Sequence, residues 1–253
     1  MDHGFVSAVL VLLLGLTQPS LQGEDVVADV STMIIEANKG MSHLLLEGDV
    51  ALPMTRNAMK CLSQQCKWPK SASGLVEVPY KISTVFQSND VNAIKKAMNG
   101  FATQTCIRFV PYAGQRNYLD IQSNGGCWSA LGKQRGVQQV SLDTAGCISN
   151  GVIQHELLHA LGFYHEHTRS DRDQYIKVNF ENIRPENAKD FVKQDTNNLN
   201  TPYDYSSVMH YGKYAFSRGG DTITPIPDSS VTIGQRVGMG RIDIERVNKL
   251  YEC

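Results

Sequence analysis

His155, Glu156 and His159 stand as His155-Glu156-Leu157-Leu158-His159, and His165 follows after Gly162. Two histidines four apart project from one face of a helix about a turn apart, close enough to grip one zinc ion. Glu156, beside the first of them, can reach a water on that ion without binding the metal itself, which is the position of a general base. Zinc lowers the pKa of a bound water from 15.7 to about 7 and polarises a carbonyl, so both halves of peptide-bond hydrolysis are served. Gly162 permits a sharp turn that brings His165 round as a third nitrogen ligand, leaving a coordination position open for water. Any one of these histidines alone reads better as an ordinary packed or surface residue. The three at this spacing predict one zinc ion per chain, and His167 and His210, outside the pattern, are expected to be packed residues.

For the side chains to converge, Gly151 to Phe163 must be a helix, with Asn150 available as its cap and Gly162 near its end. Upstream, Leu75 to Ile82 alternates around Val76, Val78 and Tyr80 as a strand does, and Asp90 to Ala102 has helical spacing through Val91, Ile94, Ala97 and Met98 behind the candidate cap Ser88. Further strands are expected at Ile107 to Tyr112, Tyr118 to Gln122 and Val137 to Leu142, two of them separated by the turn Asn124-Gly125-Gly126. From Tyr164 to about Pro227 the chain is loop-rich, with a short helix expected near Pro185 to Val192. A last amphipathic helix, Arg241 to Tyr251, turns Ile242, Ile244, Val247 and Leu250 to one side. Strands and helices first and an irregular half afterwards predict an α+β fold of two lobes: a mixed sheet with antiparallel edges and the active-site helix in the N-terminal lobe, and an irregular C-terminal lobe ending in a helix.

The 253 residues carry 24 basic and 25 acidic side chains. The near-zero sum hides a split at Arg56: residues 1–56 hold two Lys/Arg against seven Asp/Glu, and the rest is net positive. No basic run of the kind nucleic-acid binders carry is present, so nucleic acid is not an expected partner. Phe5 to Leu16 is apolar but shorter than the roughly 20 residues a spanning helix needs, and it reads as a signal-peptide core with cleavage near Gly23. The expected organisation is a signal peptide over 1–23, a removable pro-segment over 24–56 with no core-sized apolar pattern and ending in Thr55-Arg56, and a catalytic domain over 57–253. The chain is then exported, with no membrane span. All six cysteines, Cys61, Cys66, Cys106, Cys127, Cys147 and Cys253, lie beyond the leader, where an even number favours disulfides, and fifteen pairings are open. No N-x-S/T sequon occurs, so N-glycosylation is not expected.

The string His-Glu-x-x-His-x-x-Gly-x-x-His with a downstream Met is the metzincin pattern. Here it continues as His165-Glu166-His167-Thr168-Arg169-Ser170-Asp171, and Ser207-Val208-Met209-His210-Tyr211 stands farther on. Glu directly after the third histidine and the S-x-M-H-Y turn together resemble the astacin family over essentially all of Asn57 to Cys253. Within it, the pair Cys61 and Cys66 and the phrases Arg56-Asn57-Ala58-Met59-Lys60-Cys61 and Asp195 to Tyr205 resemble fish hatching enzymes.

That resemblance implies a zinc metalloendopeptidase made as a zymogen and activated by another protease after Arg56, so that Asn57 becomes the new terminus and Glu166 helps anchor it. It implies Met209 as the apolar floor below the zinc, and Tyr211 as an auxiliary ligand or a donor to the oxyanion. In Glu47-Gly48-Asp49 it implies that Asp49 takes the water's place on zinc in the zymogen. It pairs Cys106 with Cys253, Cys127 with Cys147 and Cys61 with Cys66. The implied substrates are egg-envelope glycoproteins of the zona-pellucida type, cleaved by a secreted monomer, with storage in secretory granules fitting that use. Six-cysteine astacins with digestive, blood-cell or brood-tissue roles share the layout, and a non-catalytic secreted binding protein is the remaining alternative. His167 is a departure, since the hatching-enzyme resemblance would place glutamine there.

Overall fold

The computed structural model describes residues 1, 29–41, 44–51, 66–235 and 237–253. The signal-peptide run, Arg56, Asn57 and Cys61 lie outside the described residues, so the Cys61–Cys66 pairing does too.

The leader shows no core-sized apolar pattern in sequence, yet part of it joins the core. It forms a two-turn helix, α1 (Val30–Ala37), capped by Asp29, whose carboxylate accepts from Thr32 N at 2.9 Å. Val30 and Ile34 are one helical turn apart and both are buried in the main core. Two short strands follow, β1 (Leu45–Leu46) and β2 (Val50–Ala51). A two-turn helix and two-residue strands are too short for apolar periodicity to stand out in sequence.

The remaining strands of the main sheet are β3 (Val76–Ile82), β4 (Ile107–Pro111), β5 (Tyr118–Gln122), β6 (Cys127–Ala130) and β7 (Val137–Leu142). The sheet runs β1-β2-β6-β7-β5-β3-β4. β3 is parallel to β4 and β5, and β5 is parallel to β7, whereas β6 opposes β7 and β1 opposes β2. β2 lies parallel against β6, with Val50 opposite Ser129 and Ala51 opposite Ala130. β6, four residues long, was not foreseen, yet it is the strand against which the leader lies.

Helix α2 (Ser88–Ala102) joins β3 to its parallel neighbour β4 and buries Ile94, Ala97, Met98 and Phe101. Its cap is Gln87 rather than Ser88: Asp90 accepts from Gln87 N at 3.0 Å, so Ser88 is already helical. Helix α3 (Asn150–Leu161) is capped by Ser149, whose hydroxyl accepts from Val152 N. Asn150, the expected cap, instead donates to Val237 O at 2.7 Å. Every residue of α3 from Gly151 to Leu161 is buried, so the helix is wrapped on all sides. It stops at Gly162, whose φ of 107° an L side chain would resist, and there the chain turns toward His165.

Beyond α3 the chain makes short 3₁₀ turns, among them Pro185–Phe191, and a small antiparallel pair, β8 (Ile176–Val178) with β9 (Ile223–Pro225). Helix α4 (Arg241–Tyr251) closes the fold. Cys253, just past α4, is bonded to Cys106, which ties the last helix to the strand lobe, and Cys127 is bonded to Cys147. Two apolar clusters result: a larger one between the sheet, α1, α2, α3 and α4, and a smaller one around Phe191, Tyr211, Phe216 and Ile223. α3 runs along the larger cluster, and Tyr211 of the smaller one faces it across the site. Among the described residues no helix is long and apolar enough to cross a membrane.

Candidate metal centre and active site

α3 delivers His155 and His159 from one face, and the Gly162 turn brings His165 beside them. The ring centroids of the three lie 4.7–5.0 Å apart. Each Nδ1 faces an oxygen: Val208 O at 2.9 Å for His155, Phe163 O at 2.7 Å for His159 and Glu47 Oε2 at 2.8 Å for His165. Those oxygens accept hydrogen, so each Nδ1 carries it and each Nε2 keeps a lone pair. The three Nε2 atoms converge, with His155 Nε2 3.1 Å from each of the others.

Asp49 enters this centre from the leader. Its Oδ2 is 3.0 Å from His155 Nε2 and 3.3 Å from His165 Nε2, and its Oδ1 is 3.3 Å from His159 Nε2. The four residues are buried and their donor atoms lie within 4.8 Å of one another. Three imidazole lone pairs and a carboxylate in one buried spot repel each other unless a cation lies among them, and N3O is a donor set that zinc takes. Asp49 Oδ1 is buried without a hydrogen-bond donor, which fits an oxygen aimed at a metal. The titration directions agree. Burial presses His155 down to about 4, holding it neutral. At His165 burial pushes the same way but the carboxylates of Asp49 and Glu47 outweigh it, raising that ring to about 10, so without a metal the ring takes up a proton and with one the cation supplies that charge and Nε2 keeps its lone pair. The carboxylates, in short, call for positive charge where the lone pairs meet.

Glu156 is fully buried beside this centre, and neither carboxylate oxygen has a hydrogen-bond partner among the described residues. Burial, and then the negative charge of Asp49, hold its carboxyl well above the ordinary range. Tyr211 is buried too, and desolvation raises its phenol well above its usual value, so it stays a donor. Its hydroxyl donates to the main-chain carbonyl of Glu47. Met209 is buried in the main core beside α3. The turn that carries Met209 is pinned by Asp243 of α4, which accepts from Ser207 Oγ at 2.5 Å and Val208 N at 3.1 Å.

Glu47, not singled out from sequence, is the residue that joins the leader to the centre most fully. Besides His165, its carboxylate accepts from Gln194 Nε2 at 2.8 Å, its N–H donates to Asp190 at 2.9 Å, and its carbonyl takes the Tyr211 hydroxyl. Gly48 follows with φ of 79°, and a Cβ there would come within 2.8 Å of the Phe216 ring. Only glycine fits at this step between the two carboxylates. The sequence signal was faint: a Glu-Gly-Asp step in an otherwise ordinary acidic stretch.

His167 is buried, stacked on the Tyr211 ring at 3.8 Å between centroids, and Nε2 donates to Asp190 O at 3.0 Å. His210 bonds Tyr203 Oη at 2.8 Å. Both are packed residues. Glu166 is buried and accepts from both Arg246 and Arg169 and from Asp204 N at 2.7 Å. Arg246 also donates to Pro202 O at 2.8 Å and Thr201 Oγ1 at 2.9 Å. Arg246→Ala would leave the buried Glu166 carboxylate with only Arg169 and Asp204 N, and is expected to cost about 3 kcal/mol of stability, read by chemical denaturation. A loss below about 1 kcal/mol would show that solvent reaches Glu166.

An α+β fold of two lobes around a buried three-histidine centre, with a glutamate beside the first ligand, defines a zinc metalloendopeptidase. Residues 62–252 match the model of the Astacin peptidase family, and the chain belongs to that family. It is 53% identical over 233 residues to high choriolytic enzyme 1 of Oryzias latipes, covering 91% of this chain and 86% of that one. It is 52% identical to the low choriolytic enzyme of the same fish, over the same shares, and 50% identical over 226 residues to embryonic protein UVS.2 of Xenopus laevis, of which 44% is covered. The solved structure of high choriolytic enzyme 1, a hatching enzyme zinc-protease, superposes with a TM-score of 0.75 at 54% identity, covering 78% of this chain and all of that one. Myroilysin, at 17% identity and a TM-score of 0.53, shares the fold.

Proposed function

We propose that the chain is a secreted zymogen whose mature enzyme cleaves egg-envelope proteins. The observation that carries latency is the Asp49 carboxylate among the three Nε2 atoms. A leader held there by Glu47, Gly48 and β2 blocks the centre from substrate. Its removal after Arg56 by another protease leaves a mature domain beginning at Asn57. The acidic leader against a net-positive domain, and the apolar run at Phe5 to Leu16, support export as a precursor. The choriolytic enzymes among the relatives supply the substrate reading.

His155, His159 and His165 would hold a zinc ion, which when bound would supply Lewis acidity toward the scissile carbonyl and acidify a water. Glu156 takes a proton from the attacking water as the water oxygen bonds to the carbonyl carbon. Glu156 then gives the proton to the amide nitrogen as the C–N bond breaks, so that a carboxyl and an amine leave. Tyr211, freed from the Glu47 carbonyl once the leader is gone, donates to the oxygen that gains charge. The Nδ1–H bonds to Val208 O and Phe163 O fix the tautomer and orientation of two of the rings. In the precursor Glu47 does this for His165.

Two measurements test the reading. Terminal sequencing of the activated protein is expected to begin at Asn57. Mass spectrometry of digests is expected to show envelope glycoproteins cut at discrete sites in preference to generic denatured proteins, and equal, indiscriminate cleavage of both would sink the egg-envelope assignment.

A further inference from the structure

Away from the zinc centre, a cavity of about 570 Å³ is lined by Lys67, Lys70, Lys133 and Arg135, with Glu252 as its one carboxylate. We propose that this groove is an exosite that holds an acidic stretch of the polypeptide substrate while the centre cuts the chain beyond it. The proposal rests on the peptidase reading above and names a feature of the substrate.

The groove is built onto the catalytic helix. Trp68, buried in its floor, donates from Nε1 to Ala160 O at 3.0 Å, and the hydroxyl of Tyr251 donates to Leu161 O at 2.9 Å. Both acceptors belong to the last turn of α3, one and two residues past His159. Gly132 N donates to His159 O at 2.8 Å and Lys133 N to Cys66 O at 2.7 Å, so the loop carrying Lys133 is fixed to the same turn. The backbone that carries Lys67, Lys70 and Lys133 is therefore tied to the turn of α3 that holds a zinc ligand, and Arg135 stands two residues farther along the same loop.

Their charge is not spent internally. Among the described residues none of the four forms an ion pair. Lys67 donates to Leu250 O at 3.2 Å and Lys70 to Glu252 O, both main-chain carbonyls at the end of α4. An ammonium has three donors, so each keeps capacity for a ligand. Favourable placement at the C-terminal end of α4 accounts for these two lysines. It does not account for Lys133 and Arg135, which come from the loop between β6 and β7.

The route into the groove is the edge of β6. In the precursor that edge holds the leader, with Ala51 opposite Ala130. Lys133 is three residues past Ala130, round a bend at Leu131 and Gly132, where φ is 66°, so the two lie at most about 10 Å apart. A polypeptide laid along β6 across the centre therefore comes within a few residues of Lys133, and through it of the groove that the other three cations also line. Carboxylates at that distance complement the groove, raise the encounter rate, and make it salt-dependent.

Activated enzyme would be given two peptides with the same cleavage sequence, one bare and one extended by four glutamates, with separate versions extended at either end. For one of the two ends, kcat/KM is expected to be about tenfold higher for the acidic peptide than for the bare one at about 50 mM salt. The ratio is expected to fall toward one at about 500 mM salt and in the double variant Lys133→Ala/Arg135→Ala, and to return in Lys133→Arg. A ratio of one for wild-type enzyme, or a ratio that survives the double variant, overturns the exosite. Fluorescence anisotropy of the labelled acidic peptide on Glu156→Gln enzyme reads binding without turnover. A peptide bound there but uncleaved by wild type would count against the peptidase reading and for the groove. A sulfated oligosaccharide that displaces the peptide and binds more tightly would assign the groove to glycan and overturn the proposal.

Discussion

Glu156→Gln is expected to leave the folded, zinc-loaded domain intact and to lower kcat by about 10²- to 10⁴-fold, the range that a positioned general base supplies. The size follows from the surroundings of the carboxylate. It is fully buried, no group among the described residues donates to it, and it follows His155, the first ligand, directly in the chain. A glutamine of the same shape keeps the packing and the reach but cannot accept a proton, so ground-state binding survives and the transition-state contribution is lost. KM is therefore expected to change little while kcat falls. Zinc content by metal analysis and thermal stability serve as controls, since a variant that lost metal would fail for a different reason. Retention of full activity with zinc bound would remove Glu156 from the mechanism and reopen the secreted binding-protein alternative.

The centre was legible because its residues are local. His155, Glu156 and His159 lie within one helical turn, and Gly162 with a positive φ carries the chain to His165, so helical geometry alone brings the ligands together. The long periodic elements, α2 and α4 and the strands β3, β5 and β7, were legible for a similar reason: each is long enough to repeat its pattern. The parts that fix orientation were not legible. Val208 and Phe163 act through main-chain carbonyls, which carry no sequence signature. Glu47 reaches His165 across 118 positions, and the ring of His167 finds Tyr211 across 44, contacts that only the folded path creates. The caps moved by one residue, to Gln87 and Ser149, because neighbouring polar residues competed for the same turn. α1 was missed because a two-turn helix buries only Val30 and Ile34 in the main core, and its stability comes from what it docks against.

Asp49→Ala is expected to make the uncleaved precursor leak activity. Asp49 makes three contacts of 3.0–3.3 Å with the Nε2 atoms, and its removal leaves the leader held by Glu47, by the β2–β6 pairing and by α1. The leader would still lie across the site but no longer fill the position that water must occupy. A hydrogen bond to a charged group is worth about 1.5–3 kcal/mol, and each 1.4 kcal/mol is a factor of ten. Activity of the intact precursor on a small peptide should therefore rise by roughly ten- to a hundredfold, while a large folded substrate, still excluded by the leader, gains less. Blocking cleavage with Arg56→Ala in the same chain ensures that the signal comes from the precursor itself. Gly48→Val offers an independent route to the same state, because its side chain would be driven into Phe216 and carry Asp49 out of reach. If Asp49→Ala stays silent while Gly48→Val leaks, obstruction by the leader rather than the carboxylate maintains latency. If both stay silent, the 44–51 segment is not the lock.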